Sequence, residues 1–104
     1  MPATLIFHRL AAREYRSARD RYTASSPAVG ERFRLAVARA AERIEAAIGA
    51  LPKLDGPYRY IRVSGFPYIL VFRPIDARIV MVVAVAHTSR RQGYWRGRKW
   101  IGGT

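Results

Sequence analysis

The sequence predicts an α+β fold, with a hairpin of two helices packed on a small antiparallel sheet in the order β-α-α-β-β-β. Three observations lead there. Apolar residues recur at helical spacing from about residue 10 to about residue 50. From residue 58 to residue 87 the pattern changes to alternation and then to an unbroken apolar run, the marks of strands. The joints between these pieces are short and rich in Ser, Gly and Pro. Helices grouped before strands favour a two-layer α+β arrangement. The chain has 104 residues, half of them hydrophobic. That suits a single domain over residues 1–104 with a core of its own.

Leu5-Ile6-Phe7 reads as a short first strand. A helix follows from about Leu10 to Tyr22, with an apolar stripe of Ala11, Tyr15, Ala18 and Tyr22. Arg9, Arg13, Arg16, Arg19 and Arg21 occupy its other faces, and Arg16 and Asp20 stand four apart, a pairing distance on a helix. Ser25-Ser26-Pro27 interrupts the pattern. Ser26 suits an N-cap and Pro27 the first helical position. The second helix runs to about Ala50 and buries Val29, Phe33, Ala36, Val37, Ala40, Ile44, Ala47, Ile48 and Leu51. So short a joint between helices predicts an antiparallel hairpin.

The remainder is strand. Tyr58 to Val63 alternates, with Ile61 and Val63 on one face and Tyr58, Tyr60 and Arg62 on the other. Ser64-Gly65-Phe66-Pro67 turns the chain into Tyr68 to Arg73, and Pro74-Ile75-Asp76-Ala77 turns it again. Ile79 to His87 is apolar on both faces, as befits a central strand covered on both sides. The tail from Thr88 is basic and aromatic, and Tyr94 to Trp100 is compatible with a short helix.

Charge narrows the function. The formal net charge is +12, from 19 basic and 7 acidic residues. Seventeen of the bases are Arg, whose planar fork of donors suits phosphate and carboxylate. Residues 1–55 hold ten bases and six acids, a net of +4, whereas residues 56–104 hold nine bases and one acid, a net of +8. The functional surface is therefore expected in the second half, facing an anionic partner. There is no Cys, so disulfides and thiolate metal sites are excluded, in keeping with a reducing cytoplasm. A signal peptide is not expected, since Leu5-Ile6-Phe7 is too short for its core and charges follow at once, and the longest apolar run, Ile79 to Ala86, is far too short to span a bilayer.

Two constellations can carry chemistry. Arg59, Arg62 and Arg73 near the sheet, with Arg90, Arg91 and Arg96 in the tail, can grip phosphates while Tyr60, Tyr94 and Trp95 stack on bases. The alternative is a solubilising Arg surface. His87 ends the apolar strand, where it can act as acid or base or simply fix the tail by a hydrogen bond. A metal site is not expected. His8 and His87 are the two histidines, and no HxxxH or DxD spacing occurs. No phosphate-cradling loop or Ser triad is recognisable, and no cofactor is expected. A metal-free ribonuclease needs only a base, an acid and cations for the phosphorane charge, and Arg, Tyr and His can provide them.

Several blocks occur in a specific order: Ile6-Phe7-His8, Ser26-Pro27, Gly30-Glu31-Arg32-Phe33, Arg62-Val63, and Phe66-Pro67-Tyr68 continuing to Arg73. Ile79 to His87, Arg90-Arg91 and Gly93-Tyr94-Trp95 complete the set. Over nearly the whole chain this resembles the RelE/ParE superfamily of bacterial toxins. The resemblance implies a compact antiparallel sheet with a helical hairpin, and a cognate antitoxin that wraps the toxin with a segment folding on binding. It implies one of two targets. ParE-like members act on DNA gyrase, and RelE-like members cut mRNA on the ribosome without metal.

Alignment to the RelE-like pattern leaves gaps. Ile69 stands where those enzymes place a catalytic Arg, and Thr88 where they place a second. Arg62 and Tyr94 match a basic residue and a tail Tyr, and Arg73, on the same face as Ile69, is a candidate to compensate. If the chain is a ribonuclease, its catalytic candidates are Arg62, Arg73, His87, Arg90, Arg91 and Tyr94. The target-binding or nucleic-acid-binding candidates are Arg59, Arg62, Arg73, Arg90, Arg91, Tyr94, Trp95 and Arg96. Each missing phosphorane-facing cation should cost on the order of 3 kcal/mol of transition-state stabilisation. The expectation is therefore a ParE-like toxin. The RelE-like endoribonuclease and a non-toxic nucleic-acid-binding module are the alternatives.

Overall fold

The computed structural model describes residues 3–100. In chain order its elements are β1 (Thr4–Phe7), α1 (Arg9–Ser25), α2 (Pro27–Ala47), a 3-10 turn (Ile48–Ala50), β2 (Lys53–Asp55), β3 (Tyr58–Arg62), β4 (Tyr68–Pro74) and β5 (Ile79–His87). The α+β order predicted from the sequence is present, with one added strand.

Ser26 makes the helical hairpin. Its backbone is extended, at φ −161°, and its N–H closes α1 on the Tyr22 carbonyl at 2.8 Å. Its Oγ accepts from the Val29 N–H at 3.4 Å, and Pro27 opens α2. Gly30 lets the two helices approach. A Cβ there would stand 2.9 Å from the Thr23 Cα. At the other end of α1, His8 is the N-cap, its Nδ1 accepting from the Leu10 N–H at 3.0 Å. Asp20 pairs with Arg19, not with Arg16 as its spacing suggested.

The sheet order is β1-β5-β4-β3-β2. It is mixed rather than wholly antiparallel. The helical hairpin carries the chain across the sheet, so β1 lies parallel to β5, with Thr4 opposite Ile79 and Phe7 opposite Val82. The remaining neighbours are antiparallel. β2 went unseen in the sequence because three residues, two of them charged, are too few to establish an alternation. The Ser64–Pro67 turn holds Gly65 at φ +86°, a conformation that suits glycine.

Two hydrophobic clusters flank the sheet. One joins Ala11, Ala18, Phe33, Val37 and Ile44 of the helices to Ile61, Leu70, Phe72, Val80, Val82 and Val85. Phe66 and Tyr68 of the Phe-Pro-Tyr block belong to it. Phe66 lies 5.0 Å from Tyr22 and 5.1 Å from Phe33, ring centre to ring centre, so the block ties the β3–β4 turn to the hairpin. The other cluster joins Ile69, Val71, Met81, Val83, Ala84 and Ala86 to Trp95. It is covered by the tail. The tail forms turns, not the short helix its length allowed, because Gly93 and Gly97 take φ of +86° and +90°.

β5 contains a bulge. Val71 lies opposite Ala84 but Phe72 lies opposite Val82, which leaves Val83 as the extra residue. Val80 and Val82 face the helices, whereas Val83 and Ala84 both join the tail-side cluster, after which Val85 returns to the helix side.

Candidate functional site

A largely buried carboxylate docks the tail against α1. Glu14, on α1, accepts from Arg98 Nη1 at 3.0 Å and from Arg98 Nη2 at 2.9 Å. It also accepts from the Val85 N–H at 3.0 Å, and Arg98 Nη1 donates to the Val83 carbonyl at 2.8 Å. The side chains of Arg98 and Glu14 are only 12% and 16% exposed. Together they satisfy the backbone of β5 at the bulge and beyond, past the end of β1. Arg90 approaches the same carboxylate at 3.9 Å and lies over the Tyr94 ring at 3.9 Å.

Tyr94 sits under these guanidinium groups. Its hydroxyl is buried and has no hydrogen-bond partner among the described residues. Burial first, and the Glu14 charge second, push its pKa up to about 12. A phenol so placed is a weaker proton donor than free tyrosine and stays neutral.

Trp95 is not a surface platform for bases. It is 1% exposed and meets the Tyr58 ring edge-on at 4.6 Å. Ile69, the position at which RelE-like enzymes carry Arg, is 6% exposed within the same cluster. Arg73 lies four residues, about 13 Å, further along the strand, and its guanidinium is 5.9 Å from the Tyr58 ring centre. Arg96 pairs with Asp55 of β2 and lies over Trp95 at 5.1 Å, pinning the tail to the sheet edge. Arg59 donates to the Leu51 carbonyl at 2.6 Å. Both are positioned as structural braces.

The remaining predicted residues divide between two grooves and open surface. His87 lines a groove between α1 and the end of β5 with Arg90. Its Nδ1 receives the Ser89 N–H at 3.0 Å and faces the Ser89 Oγ at 2.7 Å, and its ring meets Tyr68 edge-on at 5.1 Å. That geometry matches the tail-fixing reading of this histidine. Arg62 lines a second groove, about 830 Å³, between α2 and the β3–β4 turn, whose lining also includes Arg32, Arg39 and Arg43. Leu35, at 39% exposure, borders this groove. Arg91 is exposed. The structure thus spreads the predicted set over several places instead of gathering it into one array.

Several important residues escaped the sequence reading. Glu14 is one of only two acids among the arginines of the first helix, and the one nearer its apolar stripe, which was the available signal. Arg32, Arg39 and Arg43 are spaced seven and four apart, one face of a helix, and that signal was present but eclipsed by the charge of the second half. Among the described residues no three His, Cys, Asp or Glu side chains gather as a metal site, and no helix is long and apolar enough to cross a membrane.

Comparison with known proteins adds the family. The model for the ParE toxin of the type II toxin–antitoxin system parDE matches residues 5–92. No curated protein matches the chain. The match runs from β1 through β5 into the tail, so it takes in the hairpin, the Phe-Pro-Tyr block and the groove residues up to Arg91. The chain therefore belongs to the ParE toxin family, the toxin half of a type II toxin–antitoxin pair whose partner is an antitoxin.

Proposed function

We propose that this toxin arrests growth in the cytoplasm by binding DNA gyrase, and not by cutting RNA. One observation carries the reading. At the position of the RelE-like catalytic Arg, Ile69 is packed into the hydrocarbon cluster that Trp95 closes. A buried aliphatic side chain contributes nothing to a phosphorane, and its neighbours leave the phosphate no room to approach. Arg73 is held at Tyr58, and the raised pKa of Tyr94 makes it a poor acid for a leaving oxygen.

The antitoxin, on this reading, presents an acidic amphipathic segment to the groove between α2 and the β3–β4 turn. Arg32, Arg39, Arg43 and Arg62 line it. None of the four makes an ion pair among the described residues. Leu35 offers the apolar contact. Salt should slow this association, since charge steering is screened.

The test is induction in a growing bacterium, followed by two readouts. Gyrase poisoning induces the DNA-damage response and leaves ribosome-bound mRNA intact. Ribonuclease action produces mRNA ends within the ribosomal decoding site soon after induction. Tyr94→Phe should retain full toxicity. Decoding-site cuts that Tyr94→Phe or Arg90→Ala abolishes would establish the endoribonuclease instead.

A further inference from the structure

The groove between α1 and the end of β5 is lined mainly by donor side chains, with Glu14 and Val85 the exceptions. Arg13, Ser17 and Arg21 line it from one side, and His87, Ser89 and Arg90 from the other, around a volume of about 560 Å³. The three α1 residues are spaced i, i+4, i+8. They form one row, about 12 Å from end to end at 1.5 Å per residue. The first and last of the row are cations.

The charges there are not cancelled. Arg13 and Arg21 make no ion pair among the described residues. Glu14 is the acid at the groove, and both of its oxygens are engaged by Arg98 at 2.9–3.0 Å. Arg90 reaches it only at 3.9 Å. Arg98 therefore uses up the single negative charge and leaves Arg13, Arg21 and Arg90 as a net excess of three cations.

The donors are also held in place. Arg21 Nη2 donates to the Tyr68 hydroxyl at 2.6 Å, which fixes the arm while leaving its other guanidinium N–H groups free to donate. Arg90 is held over Tyr94 at 3.9 Å. His87 Nδ1 accepts the Ser89 N–H at 3.0 Å, so in the neutral ring the proton resides on Nε2, making that atom a donor too. Fixed Arg forks with hydroxyl neighbours are the chemistry that binds phosphate.

We infer that this groove binds phosphate groups, and that their source is the sugar-phosphate backbone of a nucleic acid passing along the Arg13–Ser17–Arg21 row. An open groove with cations at both ends of a 12 Å row suits successive phosphates better than one. Contacts of this kind position a strand without reading its sequence. The site is distinct from the α2 groove to which the antitoxin is assigned above.

The test uses the purified full chain and a fluorescent 20-nucleotide DNA, single-stranded or duplex, of arbitrary sequence. Anisotropy titrations are run from low to moderate salt. Arg13→Gln with Arg21→Gln should weaken binding at least about tenfold at low salt. It should also make the slope of log affinity against log salt shallower by about 1 to 2, as expected for two lost phosphate contacts. Ser17→Glu removes no Arg and places a carboxylate mid-row, and it should give a comparable loss. Arg32→Gln with Arg39→Gln, in the other groove, should stay within about twofold of the parent. Unchanged melting temperatures identify the loss as local. Equal losses from the two double variants, or a Ser17→Glu chain that binds like the parent, overturn the inference. A parallel melt with inorganic phosphate separates the sources. Stabilisation by phosphate that the Arg13/Arg21 double variant abolishes, with no oligonucleotide binding by the parent, assigns the groove to a small phosphorylated ligand and overturns the nucleic-acid source.

Discussion

Removing the Glu14 carboxylate should release the tail from the sheet. The carboxylate holds both Arg98 nitrogens and the Val85 N–H at 2.9–3.0 Å in a site where both side chains are largely buried. Breaking one side of a buried ion pair costs about 3–5 kcal/mol, because the surviving charge is left uncompensated. The residual exposure of 12% and 16% gives Arg98 some access to water, which places the cost near the lower end. Glu14→Ala is therefore expected to lower unfolding stability by about 3 kcal/mol. The chain has two tryptophans, Trp95 and Trp100, both in the tail. Urea unfolding followed by tryptophan fluorescence thus reports tail docking, while far-ultraviolet circular dichroism reports the helices. The fluorescence transition of Glu14→Ala should move to lower urea, and Arg98→Met should cost much less in the Glu14→Ala background than in the parent. A loss under about 1 kcal/mol, or additive effects of the two substitutions, would refute the latch.

Two further outcomes follow from the helix ends. Burial first, then the charges of Arg98 and Arg9, hold the His8 pKa below its ordinary 6.5, and its unprotonated Nδ1 caps α1. The folded value is depressed, so this stabilisation is present above pH 6.5 and is lost as the pH falls toward and through the folded value. His8→Asn, which caps without titrating, should flatten the melting temperature between pH 7.5 and 5.5, and an identical slope in both proteins would contradict the assignment. Gly30→Ala should destabilise by about 1–3 kcal/mol in urea melts, because the new methyl meets the Thr23 backbone at 2.9 Å. A neutral result would mean that the hairpin is looser than its contacts imply.

The helices, their joint at Ser26 and the interior place of β5, covered on both faces, were legible in the sequence, because periodicity and capping chemistry are local. What escaped was non-local or masked. The Val83 bulge is invisible in a run in which every residue is apolar, since moving one Val to the other face leaves the pattern unchanged. The parallel pairing of β1 depends on where the hairpin deposits the chain, which no window of residues encodes. Trp95 resembled an exposed stacking residue because its neighbours are Arg. Instead those arginines brace its burial, with Arg96 tied to Asp55 and Arg98 to Glu14. Dispersal of the Arg set is likewise a matter of three dimensions. Arg62 and Arg73 share a sheet face by parity, yet stand at opposite ends of their strands, opposite Ile69 and Met81.

The pairing of first strand with last strand has a consequence for synthesis. Thr4 waits for Ile79, and Glu14 is separated from Arg98 by 84 residues. Contacts so distant in sequence form late and slowly. While the chain is being made, α1 and α2 can pair, but β1 has no neighbour and the apolar stripe of the hairpin has no sheet to cover. A chain cut short before residue 79 lacks the strand that joins β1 to β4, and one cut short before Arg98 lacks the clasp that seals it. The molecule thus becomes a finished toxin only when almost all of it has left the ribosome. Incomplete copies present sticky faces to chaperones and proteases, not a working poison to the cell.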